Sequence, residues 1–374
     1  MLVAITSEKK RVILNSFIPL TTLNQLKKET EFYCPQCGER LQLKVGSIKI
    51  PHFAHYANSN CSSLFSEGES EQHLIGKEQL YQFFKSLKLE VELEPYLPEL
   101  KQRPDLFISL KKLRYAIEYQ CSPLSDKRFH ERNNGYIRNG IYPIWIPITP
   151  THKIIKQGIQ KMSFTHQLLQ FSTSNQTNPY ILTYCPTEKQ FVYLSNWIHV
   201  NGLTFLVKVS SIPIKLQHFP FYRPKPLSSE EFSNAFYAYE FYKKKYLKTR
   251  LLTSRKGVKD LFLRSIYELR LTIDDLPVHL GVPIKGNENL KLSAVEWQTA
   301  LFYFLHVHDW NIQGMNGEMA TYFLKWANLN HSEEAIRVVL KYCHVLNELS
   351  IQQLEHDVSK QQLKELLYSQ FLAT

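Results

Sequence analysis

The sequence predicts a mixed α/β protein with a small metal-binding β segment in front and an all-helical part behind. Three observations carry this. A Cys-x-x-Cys-Gly turn followed by two His and a third Cys opens the chain, a helix–strand–strand–strand–helix–strand order follows to about residue 150, and capped helical patterns run from Ser228 onward. The 374 residues are 44% hydrophobic and 13% aromatic, enough for two or three domains and their cores. Lys and Arg number 45 against 34 Asp and Glu, and the resulting +11 suits a polyanionic partner, either nucleic acid or an anionic membrane surface. No apolar run approaches the roughly 18–20 residues that span a bilayer, and Met1 to Lys10 lacks a signal-peptide layout. A soluble cytoplasmic protein is therefore expected. Cys34, Cys37 and Cys61 cluster while Cys121, Cys185 and Cys343 are scattered, which points to metal rather than a disulfide framework.

Residues 3 to 20 alternate weakly and predict a hairpin leading into Cys34-Pro35-Gln36-Cys37-Gly38, where glycine lets the backbone reverse and two thiolates share one turn. A strand pair is expected at Leu41 to Val45 and Lys49 to Phe53. His52, His55 and Cys61 then complete a donor set for a tetrahedral structural zinc: Cys34, Cys37 and Cys61 with one histidine. Strand alternation puts His52 and His55 on opposite faces, so one of them binds. His55 is preferred for its closeness to Cys61, with His52 the alternative. Ser66-Glu67-Gly68-Glu69 has the form of a capping box and predicts an amphipathic helix to about Leu87. Glu69, His73 and Lys77 recur every four residues on it and share a face, which either points at a ligand or faces water.

Strands are expected at Val91 to Glu94, Pro104 to Leu110 and Leu113 to Cys121. The second and third each place a carboxylate among apolar residues, Asp105 and Glu118, and Lys111-Lys112 between them marks a hairpin that brings the two side by side. Buried carboxylates are costly unless compensated, and two adjacent acidic groups with Gln120 beyond them suit a hard divalent cation such as magnesium. A short basic helix or loop at Ser125 to Asn134 and a proline-bearing strand at Tyr142 to Ile148, placed at a sheet edge, close this unit.

A basic helix at Lys153 to Leu169 is expected next, then strands at Tyr180 to Tyr184, Gln190 to Leu194 and Leu203 to Ser210. Pro220 to Pro226 reads as a linker. Ser228-x-x-Glu231 caps a long helix to about Arg250, and Ser293-x-x-Glu296 caps a later one. Residues 216 to 260 hold ten Lys or Arg against four Asp or Glu, interleaved with Phe236, Tyr237, Tyr239, Phe241, Tyr242 and Tyr246. Such aromatics either fill a core or stack on bases of single-stranded DNA. The expected divisions are residues 1–65 for the zinc segment, 66–216 for the α/β domain with a β extension, 217–228 for the linker and 229–374 for the helices.

Residues 30 to 150 resemble the competence protein CoiA family. The matching pieces are Cys34-Pro-x-Cys37-Gly, His52-Phe-Ala-His55, Glu69-Ser-x-x-His73-x-x-x-Lys77, Arg103-Pro104-Asp105, Ile117-Glu118-Tyr119-Gln120-Cys121-Ser122, and Arg128 through Tyr136 to Trp145. The resemblance implies a restriction-endonuclease-like core of the PD-(D/E)xK superfamily, in which Asp105 and Glu118 bind Mg²⁺ or Mn²⁺ and Glu69 adds a ligand. Gln120 stands where that pattern has lysine. It can orient a water but supplies no positive charge, so a cation must come from elsewhere, with Lys77 and Arg128 nearest in motif order. The implied DNA contacts are His73, Lys77, Arg128, Tyr136 and Arg138. The implied activity is a metal-dependent nuclease acting on incoming DNA, single-stranded or branched, in natural transformation, alongside recombination or DNA-uptake proteins. It would work in the cytoplasm or at the membrane-associated uptake machinery. The alternative is a DNA-binding adaptor without cleavage on the same scaffold.

Overall fold

The computed structural model describes residues 1–46, 49–57, 59, 69–150, 156–173, 178–255, 257–356 and 358–372. Cys61 and the expected Ser66 cap lie outside the described residues. The first sheet pairs β1 (Val3–Thr6), β2 (Arg11–Ile13), β3 (Phe32–Tyr33), β4 (Arg40–Lys44) and β5 (His52–His55) in the order β2-β1-β3-β4-β5. The opening hairpin forms with Val3 opposite Ile13, and Lys44 faces His52, so the second strand of the β4–β5 pair starts later than expected. Helix α1 (Leu20–Glu29) was not anticipated: it buries only Leu23 and has no side-chain cap, so its pattern is weak.

Helix α2 (Glu71–Ser86) starts from Ser70, whose side chain accepts from the His73 N–H; this corrects the expected start at Ser66. The second sheet orders β6 (Glu90–Leu93), β7 (Leu106–Leu110), β8 (Leu113–Gln120) and β9 (Ile141–Pro147) as β6-β7-β8-β9. β7 and β8 are antiparallel, joined at Lys111-Lys112 with Lys111 at φ 56°, while α3 (Asp126–Arg138) crosses over to bring β9 parallel to β8. Pro143 and Pro147 lie on β9 at the end of this strand order, where missing backbone donors do least harm. Gly76 lets α2 approach the sheet: a Cβ there would lie 2.2 Å from the Tyr119 ring.

The third sheet, β10-β13-β12-β11, comprises β10 (Gly158–Ser163), β11 (Tyr180–Cys185), β12 (Gln190–Asn201) and β13 (Thr204–Pro213). Instead of a basic helix from Lys153 to Leu169, the described part of that stretch forms β10 and the four-residue α4 (His166–Leu169). Ile159 packs toward the helices and Met162 toward the opposite face of the sheet, on an edge strand none of whose residues is fully buried.

Helices α5 (Ser229–Thr253), α6 (Leu261–Glu268), α7 (Ala294–His308), α8 (Gly317–Trp326), α9 (Glu333–Glu348) and α10 (Lys360–Leu366) follow. The Ser228 capping box forms as expected, whereas Ser293 makes no side-chain cap; Glu296 instead receives Arg250 Nε at 2.6 Å and the Tyr246 hydroxyl at 2.8 Å. Phe236 and Tyr239 are core residues, while Tyr237 and Phe241 are exposed. Ile198, Val200 and Leu206 of the third sheet share a core with these helices. A second core joins Phe32, Phe84, Leu106, Tyr119 and Tyr184, so the N-terminal sheet, α2, the second sheet and β11 are packed around the same buried side chains. Among the described residues no helix is long and apolar enough to cross a membrane.

Candidate functional site

The β7–β8 hairpin places the two singled-out carboxylates as neighbours. Leu106 pairs with Ile117, which sets Asp105, one residue before β7, beside Glu118 on β8. The Tyr119 N–H donates to Asp105 Oδ2 at 2.9 Å, and His73 Nε2 lies 3.3 Å from the same oxygen. Glu69 precedes the Ser70 cap, so only His73 and Lys77 form the helical stripe, yet Glu69 still lies 4.0 Å from His73 Nδ1 and 2.6 Å from Lys77 Nζ. Glu69, His73 and Asp105 can each offer a ligand atom within 4.8 Å of the others.

Behind them Lys77 is almost wholly buried, 1% exposed, with Nζ 2.5 Å from Glu94 and 3.4 Å from Asp105. Glu94 also accepts from the Leu2 and Val3 N–H groups, and the Met1 amine pairs with Glu69 at 2.9 Å. Burial alone would lower the Lys77 pKa; Glu69, Glu94 and Asp105 overcome it and raise the pKa. Burial pushes Asp105 and Glu69 up, but Lys77 and His73 outweigh it, joined at Glu69 by the N-terminal amine. Both carboxyls are held well below the usual carboxylate range.

Glu118 is held differently. Its Oε1 accepts from Arg132 Nη2 and, at 2.5 Å, from the Tyr136 hydroxyl, two donors one helical turn apart on α3. Burial pushes its carboxyl up to about 7 against the pull of Arg132, and the Asp105 charge adds to the rise. Glu118, Gln120, Arg128 and Arg132 line one cleft of about 190 Å³ with the Glu69–His73–Asp105 group, and Gln120 Nε2 donates to the Ser122 carbonyl at 2.8 Å.

Two expected DNA contacts are corrected: Lys77 and Tyr136 are buried and bonded to carboxylates, so neither presents a surface to a strand. Arg138 is exposed at the last turn of α3 and is not among the cleft residues. Sequence reasoning missed Glu94, the hold of Arg132 on Glu118, and buried Arg103, which lines the cleft and donates to the Met1 sulfur at 2.8 Å. The available signals were a carboxylate directly after β6, an arginine two residues before Asp105, and the four-residue spacing of Arg132 and Tyr136.

At the other end, Cys34, Cys37 and His55 lie within 4.8 Å of one another, with Cys37 Sγ 3.4 Å from His55 Nε2. Gly38, at φ 74°, donates to the Cys34 carbonyl and closes the turn that holds both thiols. His52 bonds the Ile50 carbonyl through Nδ1 at 2.9 Å and is not in this group.

The mixed second sheet, flanked by α2 and α3, thus gathers carboxylates, a histidine and arginines in one cleft. Residues 69–223 match the family described as the nuclease-like domain of competence protein CoiA, and residues 17–64 match the N-terminal domain of the same family. Competence protein CoiA of Bacillus subtilis (strain 168) is 32% identical over 294 residues, covering 75% of this chain and 74% of that protein. The chain belongs to the competence protein CoiA family. No solved structure matches it.

Proposed function

We propose that the chain processes incoming DNA in natural transformation as a divalent-metal-dependent phosphodiesterase, on a restriction-endonuclease-like core. The observation that carries this is the convergence of Glu69, His73 and Asp105 beside Glu118 in one cleft. Carboxylates with one imidazole fit Mg²⁺ or Mn²⁺, the imidazole favouring Mn²⁺. Such an ion, held by Asp105, Glu69 and Glu118, would supply Lewis-acid stabilisation of phosphate charge and a more acidic water. Asp105 and Glu69 are ionised and ready to bind, and Lys77 offsets their charge from behind. His73, Arg128 and Arg132 border the space a phosphate would take, and Gln120 orients the water. The Arg132 and Tyr136 contacts both fall on Glu118 Oε1, so Glu118 would join the ligands through its other carboxylate oxygen.

The test is incubation with single-stranded, duplex and branched DNA and Mg²⁺ or Mn²⁺. Cleavage by wild type and its loss in Asp105→Ala and Glu118→Ala are expected. No cleavage of any substrate, or variants that cut like wild type, overturns the reading. One arrangement favours a second reading, an adaptor that binds strands and passes them to recombination or uptake proteins: Glu118 is occupied by Arg132 and Tyr136, and Gln120 is tied to Ser122. Binding without cleavage in the same assay would select it. Cys34, Cys37 and His55 supply soft and imidazole donors of the kind a structural Zn²⁺ takes, and Cys61, outside the described residues, is the fourth donor the sequence offers.

A further inference from the structure

On the other side of α3 and β9 lies a groove of about 710 Å³ that the metal-site reading leaves without a role. Its walls are aromatic: Tyr115, Tyr142, Phe219 and Phe221 on one side, Trp145 and Phe171 on the other. Tyr115 lies 5.6 Å from Tyr142 and 5.0 Å from Phe219, and Trp145 stacks on Phe171 at 5.8 Å. The groove volume falls within the roughly 300–1,000 Å³ typical of ligand sites. Tyr142 is 54% exposed at the mouth, with exposed Arg223 also lining the groove.

Charge identifies the occupant. Among the groove's lining residues Arg223 is charged and no carboxylate is present, in a chain of net charge +11. A groove so lined favours an anionic occupant over a cationic one. An added peptide strand suits it poorly, because Pro143 and Pro147 remove two backbone donors from β9. Rings that can take flat faces, within a positive field, are the recurring means of holding single-stranded nucleic acid. The groove also borders the candidate site: the Arg132 guanidinium lies 5.3 Å from the Trp145 ring and pairs with Glu118 in the cleft.

We propose that this groove stacks unpaired bases of a single DNA strand next to the phosphate held in the cleft. The inference rests on reading the neighbouring cleft as a DNA site, and it makes affinity depend on bases, which phosphate contacts alone would not. The experiment measures fluorescence anisotropy of a labelled oligo-dT and of an abasic strand of equal length, in EDTA, so that cleavage plays no part. Wild type should bind oligo-dT about 5- to 100-fold more tightly than the abasic strand. Tyr142→Ala should lose most of that preference while binding the abasic strand as wild type does, and Tyr142→Phe should restore it. Equal binding of the two strands by wild type, or a preference unchanged in Tyr142→Ala, overturns the proposal and leaves the groove to a protein partner. Absence of cleavage in the metal assay would sink the phosphodiesterase reading without touching this preference, so the two failures are distinguishable.

Discussion

Replacing Lys77 with methionine probes the electrostatic frame of the cleft. The ammonium lies 2.6 Å from Glu69, 2.5 Å from Glu94 and 3.4 Å from Asp105, and methionine keeps most of the buried stem, so the change removes mainly charge. Removing one partner of a buried ion pair costs about 3–5 kcal/mol. Three carboxylates lean on Lys77, but the Met1 amine, His73 and Arg103 remain near them, which argues for about that figure rather than its triple. It is a large share of a typical stability of roughly 5–15 kcal/mol. Urea midpoints at neutral pH, with m-values compared, measure it. Because Glu69, Glu94 and Asp105 have folded pKa values below their unfolded ones, their contribution is present above about pH 4 and fades as pH falls further. Lys77 has a raised pKa, so its share persists until pH rises beyond about 10. The gap between wild type and Lys77→Met should therefore be flat near neutrality and shrink in acid. Adding Glu94→Gln should recover part of the loss, because fewer charges stay unpaired. A loss under about 1 kcal/mol, or one that does not shrink below about pH 4, would refute the arrangement.

Glu118, pushed up to about 7, favours its protonated form in the fold. Its contribution to stability is present below about pH 4 and is lost as pH rises through 7, while its ligand form grows over the same window. Cleavage should climb through an acid limb near pH 7 that Arg132→Met moves upward, and a flat pH–rate profile would remove Glu118 from the reaction. Gly76→Ala should destabilise by about 1–3 kcal/mol through the Tyr119 clash, more than the roughly 1 kcal/mol that helix propensity returns; an unchanged melting temperature would contradict this packing. Metal analysis of purified protein should find zinc in wild type and in Cys343→Ser, a core position on α9, but not in Cys37→Ser; equal zinc in all three would exclude the cysteine site.

Much of the second sheet was legible because its signals are local. The Lys111-Lys112 turn, the alternation on β7 and β8, and the edge prolines of β9 each depend on neighbours in sequence, and the carboxylate pair follows from the hairpin register. The stretch from Lys153 failed for the opposite reason: β10 is an edge strand with no fully buried residue, and its two apolar side chains beyond Gly158, Ile159 and Met162, fall on opposite faces, so no one-sided alternation marks it. The start of α2 was placed too early because Ser66 and Ser70 are both cap residue types in sequence; the structure puts the cap at Ser70, whose hydroxyl meets the His73 N–H.

The long-range charges were the least legible part of the site, and they bear most on its chemistry. Glu94 follows β6 and Lys77 lies two turns into a helix; nothing in the spacing announces that they meet at 2.5 Å. Their meeting changes the meaning of Gln120. In the lysine-bearing pattern positive charge sits beside the metal ligands on the third strand, where here an amide is bonded to Ser122. The ammonium nearest Asp105 instead arrives from α2, buried, 3.4 Å away and shared among three carboxylates. A charge so placed holds the ligands ionised but cannot travel to a phosphate, because leaving would strand Glu94 in the core. Mobile positive charge in the cleft must then come from Arg128 and Arg132, and Arg132 is the residue that ties Glu118 to Trp145 and the aromatic groove. Substituting Arg132 should therefore disturb the pH profile and the base preference together, whereas substituting Lys77 should lower stability first and alter base preference little.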